Sequence, residues 1–185
     1  MKAIQKKILL ASVAVGVLTP FLTGGAVVHA KEVNVQPSEP SDNTVEVNEK
    51  DYTINGEKTD LDEDDSYSFI YGGDAFNGNA DNNILILNNI QGYCWIYGGD
   101  SYNGTSASNN RITINSSYSN ISPDISFVYG GYVTNRNEGQ NIIVNNNEII
   151  INGGTLGDIF GGFIFSPEGI NNNTISNNKI IIMAV

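Results

Sequence analysis

The stretch NNEIIIN, residues 146–152, decides how the chain is read, because it has three relatives: NNILILN at 82–88, NNRITIN at 109–115 and NNKIIIM at 177–183. Aligned by slot, the third position is Ile84, Arg111, Glu148 or Lys179, mostly charged and freely varied. The fourth is Leu85, Ile112, Ile149 or Ile180, and the sixth is Leu87, Ile114, Ile151 or Ile182. Successive side chains of an extended chain point to opposite faces, so slots four and six share an apolar face while slot three meets water. The word predicts a half-buried β-strand used four times over.

A second word alternates with it: FIYGGD at 69–74, WIYGGD at 95–100, FVYGGY at 127–132 and DIFGGF at 158–163. Its paired glycines, Gly72-Gly73, Gly98-Gly99, Gly130-Gly131 and Gly161-Gly162, are spaced 26, 32 and 31 residues apart. No Lys-Ser/Thr follows them and no helical pattern begins there, which excludes a phosphate cradle. They mark instead the end of an apolar strand, where side chains would collide.

A single pair of such strands cannot bury its inner face. Stacking each repeat on the next at ~4.8 Å lines the aliphatic residues into continuous ladders. The reading is an all-β chain, a parallel β-solenoid (β-helix) of about four rungs, with repeats near 68–92, 93–123, 124–157 and 158–185. Residues 68–185 hold 23 Asn and 16 Gly, a bias that fits the stack. Asn83, Asn110, Asn147 and Asn178 recur at one slot, where side-chain amides bond up and down the stack. Asparagine also accepts the left-handed backbone of a corner at low cost.

Outward from the repeats, residues 31–67 carry twelve acids against three lysines and two prolines in PSEPSDN. They read as an acidic, partly disordered linker, with a short capping hairpin of TVEV (44–47) and YTI (52–54). Residues 1–30 have the layout of a secretory signal: Lys2, Lys6 and Lys7, an apolar run from Ile8 to Leu18, then Val28-His29-Ala30 before the cut. That run is too short for a membrane span, so no span is expected in the mature chain. Removing the signal takes the formal charge from −11 to −14, since three lysines leave with it. So acidic a chain without a basic patch is no partner for nucleic acid. The only histidine, His29, leaves too, and Cys94 is the only cysteine, which excludes His-based nucleophile systems, His-containing zinc sites and an internal disulfide.

The apolar-Tyr-Gly-Gly and Asn-Asn-x-Ile-x-Ile-Asn words, joined by connectors such as GGTLGDIFGG at 153–162, resemble the passenger regions of autotransporter-type surface proteins of Gram-negative bacteria, with their tandem "YGG" repeats. The resemblance covers residues 68–185 and the signal. It implies export, a β-solenoid and display at the cell surface or outer membrane, as an adhesin that presents loops to a glycan or protein of a host or neighbouring cell. Loops 77–81, 105–108, 133–140 and 164–170 are the candidates. The family's membrane barrel has no room here, and the apolar edge at KIIIMAV calls for stacking on further repeats, so a fragment of a longer product is expected.

Three chemistries have candidates. Asp74 and Asp100 follow Gly-Gly in equivalent slots and would stack as a carboxylate pair, a geometry that polysaccharide cleavage could use together with Arg111. Tyr132 and Phe163 fill the same slot later, which reads the acids as ordinary corner caps instead; no enzyme activity is the favoured expectation, and no cofactor. Two aromatic columns, Phe69, Trp95, Phe127 and Tyr71, Tyr97, Tyr129, would bind sugar or protein if they faced outward. The burial habit of such residues favours instead an inward, core role. Calcium is not expected: Asp60, Asp62 and Asp64 begin a loop whose sixth and twelfth positions are Asp65 and Tyr71.

Overall fold

The computed structural model describes residues 31–62, 65–90, 94–115, 125–137, 140–154, 156–166 and 173–183. The secretion signal expected at residues 1–30 lies outside the described residues. The described chain is all β, with no helix.

An opening layer is formed by β1 (Lys31–Val35) and β2 (Thr44–Val47), followed by β3 (Asp51–Ile54) and β4 (Glu57–Asp60). The first repeat supplies β5 (Asp65–Tyr71), β6 (Asp74–Ala75) and β7 (Ile84–Asn88). The second supplies β8 (Cys94–Tyr97), β9 (Asp100–Tyr102) and β10 (Arg111–Asn115). The third has β11 (Ile125–Tyr129), β12 (Tyr132–Thr134), β13 (Ile143–Asn145) and β14 (Glu148–Ile151). The fourth has β15 (Leu156–Phe160), β16 (Phe163–Phe165), β17 (Thr174–Ser176) and β18 (Lys179–Ile182).

Every repeat lays its strands beside the equivalent strands of its neighbours. The first word builds a sheet in the order β1-β5-β8-β11-β15, and the strands after Gly-Gly build a second, β6-β9-β12-β16. The Asn-Asn word builds a third, β18-β14-β10-β7-β2-β3-β4, and β13 with β17 make a fourth. Pairing between repeats is parallel, and the register matches slot to slot: Leu85, Ile112, Ile149 and Ile180 are successive partners. Among the described residues, antiparallel pairing is confined to β2-β3 and β3-β4.

The inner slots make the larger core. Leu85, Leu87, Ile112, Ile114, Ile149 and Ile151 are buried and pack against Ile70, Ile96 and Val128 of the first sheet. Each such side chain contributes about 1.5–3 kcal/mol. A smaller cluster, Ala107, Val133, Ile142 and Val144 with Ile164 against it, lies between the second and fourth sheets. Slot three faces water and carries ion pairs, Arg111 to Glu148 at 3.3 Å and Lys179 to Glu148 at 3.5 Å.

Between the two cores the two words of a repeat meet. The second Asn of each pair lies beneath Gly-Gly: a Cβ on Gly130 would stand 2.9 Å from Asn147 Cβ, and one on Gly131 2.7 Å from Asn147 Nδ2. Glycine is required because the amide passes through the waist, so the two motifs recur together. Asn83, Asn110 and Asn147 each donate the backbone N–H to Oδ1 of the next Asn, at 2.9 Å every time. Nδ2 of Asn110, Asn147 and Asn178 donates at 3.0 Å to Ala80, Ala107 and Val144 carbonyls of the preceding repeat. The first Asn of each pair turns the corner, with φ of 61° at Asn82, 58° at Asn109, 56° at Asn146 and 55° at Asn177. An outer ladder runs from Asn48 through Asn88 and Asn115 to Asn152.

Two expectations are corrected. Residues 31–62 hold the expected antiparallel hairpin, β2 with β3, and add β1 and β4 where a partly disordered linker was expected, because Val35, Val45 and Val47 alternate into the main core. Asp42 (φ 61°) and Asn43, whose N–H donates to Asn83 Oδ1 at 3.1 Å, act as a degenerate Asn-Asn corner. The aromatic columns, expected inside, lie outside: Ile70, Ile96 and Val128 take the inward face of their strands.

Candidate functional site

The outward face of the first sheet carries two ring columns side by side. Tyr71, Tyr97, Tyr129 and Phe160 stack in one, with centroids 5.1, 5.2 and 5.1 Å apart and planes within 12° of parallel. In the other, Trp95 is tilted by 50° to Phe69 and 53° to Phe127, and the next partner in register is Asp158. Rings that stack face to face along a ladder turn their edges to solvent. The tyrosine column therefore offers no flat platform to a sugar, and Tyr97 and Tyr129 are buried by their neighbours although they lie outside the core.

Across Gly-Gly, the outward slot of the second sheet holds Asp74, Asp100, Tyr132 and Phe163 in register. Side chains from the two sides of the turn converge. Tyr132 packs edge-on against Tyr129 at 5.0 Å and Tyr97 at 5.6 Å, and Phe163 packs edge-on against Phe160 at 5.6 Å. The Gly-Gly line is thus the bottom of a furrow along the stack. Its later half is filled by the chain's own rings and its earlier half is floored by two carboxylates. Two residues on, Phe76 and Tyr102 stack at 5.2 Å, with Phe76 70% exposed. The early furrow, or notch, has stacked rings on both sides and carboxylates between them.

The carboxylates differ. Gln36, from the turn after β1, donates through Nε2 to Asp74 Oδ2. Burial pushes the Asp74 carboxyl above its ordinary value, and the Gln36 bond opposes that rise. Asp100 receives no side-chain hydrogen bond among the described residues, and its carboxyl is pushed up to about 7, first by burial and then by the charge of Asp74. The phenols of Tyr71 and Tyr97 are raised by burial and then by the nearby Asp100.

The structure thus brings together Asp74, Asp100, Tyr71 and Tyr97, and sets Phe69, Trp95, Phe127 and Tyr129 on the same face. Arg111 stands elsewhere, on β10, ion-paired with Glu148. Gly72, Gly73, Gly98, Gly99, Gly130, Gly131, Gly161 and Gly162 serve the waist with their Asn partners. Two contributors escaped the sequence reading: Gln36, hidden in a segment without either word, and the Phe76–Tyr102 pair, whose alternation with buried Ala75 and Ser101 was the available signal. Two of the loops expected to present ligands are ordered corners. Ala80 and Ala107 are buried within them, and Asn79 Oδ1 accepts from the N–H of Thr105 at 3.0 Å and of Ser106 at 3.1 Å. Loops 133–140 and 164–170 extend partly outside the described residues.

Among the described residues no three His, Cys, Asp or Glu side chains gather as a metal site, and no helix is long and apolar enough to cross a membrane. No protein-family model matches the chain, and neither a curated protein nor a solved structure does.

Proposed function

We propose that the chain is an exported parallel β-solenoid, similar to the passenger of an autotransporter-type surface protein, that acts by presenting its outer faces to a glycan or protein of a host or neighbouring cell. The observation that supports this reading is the slot-to-slot parallel register of four repeats, a construction whose product is a long, regular surface rather than an enclosed pocket. The furrow and its ring columns are the part of that surface most unlike a solvated face. The adhesin role is tested with beads coated in the purified protein. Retention on target cells above beads coated with an acidic protein of equal charge is the expected result; retention equal to that control ends the reading.

Polysaccharide cleavage is a second reading, favoured by one observation: a carboxyl raised to about 7 beside another acid. Its weakness is geometric. Asp74 and Asp100 project side by side from one column, whereas glycoside cleavage needs its two carboxylates on opposite sides of the scissile bond. Release of reducing ends from a polysaccharide panel, abolished by Asp74→Asn, would establish it; no release removes it.

A further inference from the structure

The Asn ladder is closed at one end and open at the other. At its start, Asn43 Oδ1 accepts from Asn55 Nδ2 at 3.0 Å, and Asn55 Oδ1 accepts the Thr44 N–H at 2.8 Å. Asn55 thus stands in for the Asn of a preceding repeat, and the β2-β3-β4 arrangement closes that edge of the third sheet. At the far end, the N–H of Asn147 meets Asn178 Oδ1 at 2.9 Å, but no described residue offers an Oδ1 to the N–H of Asn178. Lys179 and Met183 turn their N–H groups to β14, so those of Ile180 and Ile182 alternate toward an edge with no strand beside it.

Both cores stop at this same end. Ile180 and Ile182 continue the ladders of the buried Ile149 and Ile151, yet are 42% and 68% exposed. Ile175 continues that of the buried Val144 and is 52% exposed, and Phe165 and Met183 of the same repeat are open too. Of the nine large hydrophobic side chains exposed among the described residues, five belong to the fourth repeat, so this apolar surface is gathered rather than scattered. The opposite end is its contrary. There β4 presents Glu57, Lys58, Thr59 and Asp60, all exposed, and residues 31–62 hold nine acids against three lysines. Residues 163–183 hold one acid, Glu168, and one base, Lys179, which is drawn to Glu148.

We propose that the fourth-repeat end is a dimer interface, on which two copies of the chain meet tail to tail about a twofold axis with β18 against β18 in antiparallel pairing. Charge and surface chemistry select this occupant. A head-to-tail stack would lay the wholly polar β4 on Ile180 and Ile182 and leave them without apolar cover. A like end supplies aliphatic side chains, an open strand edge and almost no net charge. It also holds the two acidic opening layers at the far ends of the pair, where they repel least. Antiparallel pairing of the two edges gives the N–H groups of Ile180 and Ile182 carbonyl partners. Lys179 lies on the outer face with Glu148 and does not obstruct the edge. A twofold contact uses the same patch on both copies and closes on itself, so assembly stops at two chains. The inference rests on the stacked repeats and is independent of export and adhesion.

The test follows the mass of the full chain by sedimentation equilibrium over a wide concentration range, beside two variants, Ile182→Lys and Ile84→Lys. Ile182 is the most exposed of the end residues, and Ile84 is the control, since its slot holds Arg111, Glu148 or Lys179 in the other repeats. The expected result is a monomer–dimer equilibrium with no larger species, weakened at least tenfold by Ile182→Lys and unchanged by Ile84→Lys, both variants keeping the native circular dichroism spectrum. A second readout needs no variant: backbone amide exchange at Ile180 and Ile182 should slow as concentration rises, while that of β4 stays constant. A monomer at every concentration, masses that grow past two chains, a dimer that Ile182→Lys leaves intact, or exchange at Ile180 and Ile182 that ignores concentration would overturn the proposal. Failure of the adhesion assay would leave each of these outcomes unchanged.

Discussion

The two words of the repeat make opposite kinds of strand. In the Asn-Asn word, β7 and β10 alternate cleanly, and slots four and six of β7, β10 and β14 enter the core, while Arg111, Glu148 and Lys179 meet water; on β18 the same slots, Ile180 and Ile182, are exposed. In the Gly-Gly word, β5, β8 and β11 are apolar on both faces, with Ile70, Ile96 and Val128 inside and rings outside. Hydrophobicity alone therefore orients the first kind and is silent about the second. Both depend on the same waist, where Asn passes beneath Gly-Gly, and substitutions there separate structural from decorative residues.

The largest effect is expected at the waist. Gly131→Val would drive side-chain carbon into Asn147 and the Ala107 carbonyl, both of which are backbone-tied. The loss should exceed about 4 kcal/mol, the range of severe packing clashes, and no cooperative thermal transition should remain. Next comes the contrast within one Asn-Asn pair. Asn110→Ala deprives the Asn83 N–H and the Ala80 carbonyl of their buried partners and should cost about 3 kcal/mol. Asn109→Gly, at φ 58°, should cost under about 0.5 kcal/mol, because glycine enters the left-handed region freely. Equal losses in urea unfolding would refute that division of labour.

A smaller, pH-dependent effect separates the early furrow from the late. A carboxyl raised to about 7 in the folded protein holds its proton more tightly than in the unfolded chain. Its contribution to stability therefore falls as pH rises from the ordinary aspartate value of about 3.9 toward about 7, and is level above that. Asp100→Asn should raise Tm at pH 8 and leave it nearly unchanged at pH 4. The least effect belongs to the outer charges of the alternating strand: Glu148→Gln loses two exposed ion pairs and should move stability by no more than about 1 kcal/mol, fading with added salt.

What could be read in advance follows from this contrast. The slots of NNILILN, NNRITIN, NNEIIIN and NNKIIIM appear as ladders because one-sided burial leaves a period-two trace. The Asn corner and ladder were legible as a pair of roles, though not which Asn held which. The hairpin of the opening layer was legible in the alternation of TVEV and YTI, whereas β1, β4 and the Asp42-Asn43 corner were not, because DNTVEVN at 42–48 replaces the first Asn by Asp and its neighbouring acids suggested a solvated linker. The aromatic columns were misplaced because Tyr97 and Tyr129 are buried by ring-on-ring packing over the furrow, a burial that owes nothing to the core. Of the site, the Asp74–Asp100 pairing was legible from equivalent slots. Gln36 was not, since it belongs to no repeated word; the Phe76–Tyr102 pair was overlooked although GGDAFNG at 72–78 and GGDSYNG at 98–104 repeat it.

The account rests on the second Asn of each pair threading the waist, and side-chain amide hydrogen exchange measures that directly. The side-chain NH₂ groups of Asn83, Asn110 and Asn147, which lie buried in the ladder, should exchange far more slowly than those of Asn82, Asn109 and Asn146, which are exposed at the corners. Indistinguishable rates for the two sets, or protection of the corner set instead, would contradict the stacked Asn–Gly waist and the register built on it.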